Sequence, residues 1–132
     1  MPIRVLLVDD SEETLEVLET QYGLHREIEV VATVENAANA LGVLAAQAVD
    51  LVSIDIELGA QNGLELCSQL RRQYRNLFVA ICSVEADGWM REKARRAGAQ
   101  CLLEKPLYYS DIEELIRMYK SFADDDLFNS ML

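Results

Sequence analysis

Short apolar runs alternate along this chain with longer stretches in which apolar residues recur every three or four positions. The runs are Ile3–Val8, Ile28–Thr33, Leu51–Ile54, Leu77–Cys82 and Gln100–Leu103. They are nearly continuous in Val, Ile and Leu, the pattern of strands buried on both faces. Between them lie Leu15, Leu18 and Tyr22; Ala37, Ala40, Leu41 and Leu44; and Leu64, Cys67, Leu70 and Tyr74. Ala86, Met90, Ala94 and Ala97 follow, then Ile112, Leu115, Ile116 and Tyr119. Each set lines one face of an amphipathic helix. Strand and helix in strict alternation predict an α/β fold, a doubly wound five-stranded parallel sheet with helices on both faces.

Local punctuation agrees with this division. Ser11 is placed to cap the first helix, whose opening turns carry Glu12, Glu13 and Glu16. Gly98 follows Arg95-Arg96-Ala97 as a helix stop. Ser110 with Glu113 reads as a capping box for the fifth helix. No internal repeat or Gly/Ser-rich linker divides the chain. Residues 1–122 read as one domain. Residues 123–132, with Asp124-Asp125-Asp126, read as a flexible acidic tail, a docking peptide or the stub of a linker.

Composition narrows the function. A chain of 132 residues that is 51% hydrophobic can bury a single core. A net charge of -11 argues against direct binding to nucleic acid, which needs a basic surface. No apolar run approaches the roughly 18–20 residues of a membrane span, and the N-terminus lacks the basic-then-apolar pattern of a signal peptide. Cys67, Cys82 and Cys101 are widely spaced and odd in number, so they read as small core residues of a cytoplasmic protein rather than a disulfide framework or zinc site. His25 has no companion ligands and is expected to face solvent or serve a turn.

The candidate chemistry lies where the apolar runs stop. Asp9 and Asp10 follow Val5-Leu6-Leu7-Val8, Asp55 follows Leu51-Val52-Ser53-Ile54, Ser83 follows Phe78–Cys82, and Lys105 follows Cys101–Glu104. Parallel sheets bind ligands at the carboxyl ends of their strands, so these residues should converge. Three carboxylates offer hard oxygen donors suited to Mg²⁺ or Mn²⁺. A carboxylate can also act as nucleophile in phosphoryl transfer. Lys105 would supply a point charge, and Ser83 a hydroxyl donor, to phosphoryl oxygens.

Val8-Asp9-Asp10-Ser11, Asp55 with Gly63 eight residues later, Ser83, Ala97-Gly98-Ala99 and Lys105-Pro106 occur in order from Ile3 to about Phe122. In this the chain resembles the receiver domains of bacterial two-component response regulators. The resemblance implies a flavodoxin-like sheet of strand order 2-1-3-4-5. It implies that Asp55 accepts a phosphoryl group from a histidine kinase or histidine phosphotransfer protein. Asp10, Asp9, Asp55 and the backbone carbonyl of Glu57 would hold Mg²⁺, with Mn²⁺ as a substitute. Ser83 and Lys105 would bind the transferred group. Glu57 and Glu85 occupy positions that tune the lifetime of the acyl phosphate. The surface of the fourth helix, fifth strand and fifth helix, with Leu102, Trp89 and Tyr108, would signal to a downstream protein or fused output domain, or pair two copies. On this reading the chain is a phosphoacceptor with only self-phosphorylation and autodephosphorylation chemistry, not an enzyme. It binds no nucleic acid directly and inserts in no membrane.

Some positions depart from the family pattern. Leu102 stands where Tyr or Phe is usual, which removes the aromatic readout of activation. Gly59 stands where Pro is common and Leu58 where Met is common. Val84 replaces a small residue and would crowd the phosphoryl pocket. Two other functions compete on the same topology. A Mg²⁺-dependent phosphohydrolase with an Asp nucleophile would need its Asp-x-Asp after the first strand and a substrate cap. A flavin binder would need a Ser/Thr/Gly-rich loop where Asp9-Asp10 would repel phosphate.

Overall fold

The computed structural model describes residues 1–131, with backbone alone for Phe128 and Ser130. In chain order the elements are β1 (Ile3–Val8), α1 (Glu12–Gly23), β2 (Ile28–Val34), α2 (Ala37–Ala46), β3 (Leu51–Asp55), β4 (Glu57–Leu58), β5 (Gln61–Asn62), α3 (Gly63–Gln73), β6 (Phe78–Ser83), α4 (Gly88–Ala97), β7 (Cys101–Glu104) and α5 (Tyr109–Met131). The main sheet is parallel and ordered β2-β1-β3-β6-β7. With the small β4–β5 hairpin set aside, this is the predicted 2-1-3-4-5 order.

Every residue of β3 and β6 is buried, as the unbroken apolar runs require of central strands. Strand alternation then sorts the core into two layers. Val5, Leu7, Leu51, Phe78 and Leu103 pack with Leu18 and Tyr22 of α1 and with Ile112 and Leu115 of α5. Leu6, Val8, Val52, Ile54, Val79 and Ile81 pack with Ala40 of α2, Leu66 and Leu70 of α3, and Met90 and Ala94 of α4. Side chains cap four helices. Ser11, Asn36, Asn62 and Asp87 accept from the N–H of Thr14, Asn39, Leu64 and Met90. Gly98 closes α4 in the left-handed conformation (φ 98°).

Several sequence expectations are corrected. The fifth helix starts at Tyr109, ahead of the expected Ser110 cap. Asp111, rather than Glu113, reaches back to accept from the Tyr108 N–H at 2.8 Å. The same helix passes the expected boundary at residue 122 without a break and runs to Met131; Leu132 lies outside the described residues. No Gly or Pro interrupts residues 110–131, so nothing local stops the helix, and Phe122 anchors it edge-on to Phe78 at 5.4 Å between ring centroids. His25 does lie in the α1–β2 turn but is only 6% exposed, because Tyr109 stacks on its ring at 4.0 Å. Among the described residues no helix is long and apolar enough to cross a membrane.

Candidate functional site

The strand ends do converge. Parallel register pairs Val8 with Ile54, Asp55 with Cys82, and Ser83 with Glu104, so the residues that follow β1, end β3 and β6, and follow β7 share one edge of the sheet. Asp9 and Ser83 are nearly inaccessible, Asp55 is buried, and Asp10 is exposed at the rim. One carboxylate oxygen from each of Asp9, Asp10 and Asp55 lies within 4.8 Å of the others.

Lys105 ties the cluster together. Its Nζ donates to Asp9 Oδ2 at 2.9 Å and lies 3.2 Å from Asp55 Oδ1. The other oxygen of Asp9, Oδ1, accepts from the Ser11 N–H at 2.9 Å, so the start of α1 fixes that carboxylate from the opposite side. Burial pushes the Asp55 carboxyl above the usual carboxylate range. The Lys105 charge pulls the other way, the Asp9 charge adds to the rise, and hydrogen bonds from Lys105 and the Glu57 N–H oppose it. Burial alone would lower the Lys105 ammonium, but the bond to Asp9 and the charges of Asp55 and Asp9 outweigh it and the net shift is upward. One ammonium therefore serves two buried carboxylates and leaves a surplus of negative charge. A divalent cation relieves that surplus, and the all-oxygen donor set fits a hard ion of the Mg²⁺ class.

Ser83 is held by its own loop. Its Oγ accepts from the Glu85 N–H at 3.1 Å, and its carbonyl accepts from the Lys105 N–H at 2.8 Å. The hydroxyl proton is left to donate elsewhere. The carbonyl of Asp55 shows why Gly63 recurs eight residues on: a Cβ at Gly63 would stand 2.3 Å from that oxygen, so α3 can begin there only on glycine. Gly59 turns the β4–β5 hairpin with φ at 62°, beside Asp10, a conformation open to glycine at little cost.

Of the remaining sequence candidates, Glu57 adjoins the acid cluster, while Leu102, Trp89 and Tyr108 lie on the α4, β7 and α5 side. Glu57 is exposed and engages Asp55 through its backbone N–H. Leu102 is 8% exposed and packs in the core layer under α4. Trp89 is exposed with Lys93 Nζ 3.7 Å from its ring centroid, and Tyr108 is exposed ahead of α5. Val84 is 69% exposed and lines a groove with Thr14, Val17 and Leu18 of α1 and with Lys105. The sequence reading missed Gln21, which bonds the loop after Lys105 from 86 residues away. A glutamine in a helix carries no signal of such a partner.

Comparison with known proteins places this geometry. The family model described as "Response regulator receiver domain" matches residues 5–117. The protein-glutamate methylesterase/protein-glutamine glutaminase 2 of Paramagnetospirillum magneticum is 33% identical over 107 residues, covering 80% of this chain and 30% of that protein. The alginate biosynthesis transcriptional regulatory protein AlgB of Pseudomonas putida is 37% identical over 103 residues, covering 78% of this chain and 22% of that protein. The chain thus spans about a third or less of these curated relatives. A CheY-like response regulator receiver domain protein from Methanospirillum hungatei shares the fold with a TM-score of 0.82 at 20% identity, over 95% of this chain and 99% of that one. Nothing in these matches favours the phosphohydrolase alternative.

Proposed function

We propose that this chain, which belongs to the response regulator receiver domain family, accepts a phosphoryl group on Asp55 from the phosphohistidine of a histidine kinase or histidine phosphotransfer protein. An Asp55 carboxylate oxygen attacks phosphorus; the P–O bond forms as the P–N bond breaks, and the departing imidazole takes up a proton from solvent. The observation that carries this reading is Lys105 Nζ poised between Asp9 and Asp55, within a cluster of three carboxylates. Lys105 exchanges Asp55 Oδ1 for a phosphoryl oxygen as the acyl phosphate forms. The Ser83 hydroxyl donates to another oxygen. Asp10, Asp9, Asp55 and the Glu57 carbonyl would hold Mg²⁺ or Mn²⁺, which neutralises the incoming phosphoryl charge.

Output runs through the face made by α4, β7 and α5, toward a downstream protein, a fused output domain or a second copy. Trp89 and Tyr108 present exposed aromatic surface there. Buried Leu102 takes the place of a switching ring, so the response is read as a shift of packed layers rather than a ring rotation. Glu92 binds both Arg95 and Arg96 within α4, and the Lys93 ammonium lies over the Trp89 ring, so α4 offers an acidic partner Arg91 and the Trp89–Lys93 pair.

Incubation with acetyl phosphate and Mg²⁺ tests the acceptor role. The protein should gain one acid-labile, hydroxylamine-labile phosphate, and Asp55→Asn should gain at least about 100-fold less. Label that survives in Asp55→Asn would move the acceptor elsewhere.

A further inference from the structure

We propose that Gln21 is a positioning residue for Lys105, and that through Lys105 it sets the balance between cation binding and phosphoryl binding at the acid cluster. This rests on the reading of Asp55 given above.

The loop from Lys105 to Leu107 is pinned at two points. At its start the Lys105 N–H donates to the Ser83 carbonyl at 2.8 Å. At its end the Leu107 carbonyl accepts from Gln21 Nε2 at 2.8 Å. Among the described residues no other side chain bonds this stretch of backbone. The anchor itself is firm: Leu18 and Tyr22 of the same helix are buried in the core, and Leu107 is buried against them. Gln21 thereby couples the last turns of α1 to the segment that carries Lys105.

Lys105 acts with opposite sign on two ligands. Its ammonium occupies oxygens of Asp9 and Asp55 that a divalent cation would use, so it competes with the cation. The same ammonium assists a phosphoryl group on Asp55, so it favours that group. A residue that holds Lys105 in place therefore weakens metal binding and strengthens phosphoryl binding. A generally loosened fold would weaken both.

The test measures Mg²⁺ affinity by calorimetry, and fluoroberyllate affinity at saturating Mg²⁺, in wild type, Gln21→Met, Lys105→Ala and the double variant, with Gln21→Ala as a second truncation. Loss of the single neutral hydrogen bond in Gln21→Met should tighten Mg²⁺ about threefold and weaken fluoroberyllate about fivefold. In the Lys105→Ala background the same substitution should shift neither, because the residue it acts through is gone. Parallel weakening of both ligands, or an equal shift without Lys105, would overturn the positioning role. A wild type that binds both ligands and a Gln21→Met protein identical to it would overturn the positioning role alone. A wild type that binds neither would remove the Asp55 reading and this one with it.

Discussion

Two partly buried cations hold the far side of the sheet, one at each end of its last two strands, and they are held in different ways. Lys105, at the carboxyl end, rests between two carboxylates. Among the described residues Arg71, at the amino end, is bound only by neutral oxygens. Its Nε donates to the Gly98 carbonyl at 3.0 Å, Nη1 to the Tyr74 and Arg75 carbonyls, and Nη2 to Gln100 Oε1 at 2.7 Å. Gln100 Oε1 also accepts from the Val79 N–H, so the guanidinium joins α3, the end of α4 and the start of β7 to β6. A rigid fork satisfied by backbone carbonyls has no partner to exchange, and burial lowers its affinity for its proton. A point charge shared by two carboxylates has partners that can be traded when a stronger anion arrives. The first arrangement fixes a strand; the second readies a site.

The largest effect expected from breaking this contrast is on stability. Arg71→Ala removes four hydrogen bonds and leaves the Gly98 carbonyl and Gln100 short of donors, and should cost about 2–3 kcal/mol in urea unfolding. Fluoroberyllate affinity should change less than about twofold, since no ligand-binding group is touched. Arg71→Lys keeps the charge but not the fork, and should recover less than half of the loss.

A smaller effect comes from pH in the absence of metal. The folded-state pKa of Asp55 lies above its ordinary value of 3.8, so between those values the folded chain binds more protons than the unfolded one. Stability from this group must then rise as pH falls through the raised pKa toward 3.8, and be lost as pH rises through that pKa. Denaturation midpoints in chelator, compared between wild type and Asp55→Asn, should show this slope in wild type and a flatter profile in the variant. Equal slopes would detach the effect from Asp55.

The smallest effect is at the surface of α4. Glu92 is half-exposed, and its bonds to Arg95 and Arg96 hold its carboxyl down at about 2. Screening by solvent makes such pairs nearly neutral for stability, so Glu92→Gln should leave the urea midpoint unchanged while making the helix more basic. Tighter binding of an acidic partner by that variant would place the contact on α4; unchanged binding would place it elsewhere.

Much of this contrast was legible in the sequence at one end and little at the other. Continuous Val/Ile/Leu runs betrayed the strands, and charges at their ends betrayed the acid cluster, because burying such groups without a task is costly. Ser11 and Gly98 were readable as caps since capping is a local property. Arg71 and Gln21 were not, because a side chain bonding a distant carbonyl leaves no periodic trace. The β4–β5 hairpin was missed for a related reason: Glu57, Gln61 and Asn62 are poor strand formers, and only Gly59 marks the turn. His25 serves a turn as expected, but its burial was not legible, because what buries it, Tyr109, belongs to an element more than eighty residues away in the sequence.

The continuation of α5 beyond Phe122 gives the domain a lever arm. Lys120 bound to Glu27, and Phe122 against Phe78, form its fulcrum. Residues 123–131 extend past it as uninterrupted helix, a span of about 13 Å at 1.5 Å per residue. A tilt of about 5° at the fulcrum sweeps the far end through roughly 1 Å, and a larger tilt sweeps it in proportion. A displacement too small to be felt inside the packed layers thus becomes a measurable swing at the end of the arm, legible as a change in distance between probes on residue 129 and on α3.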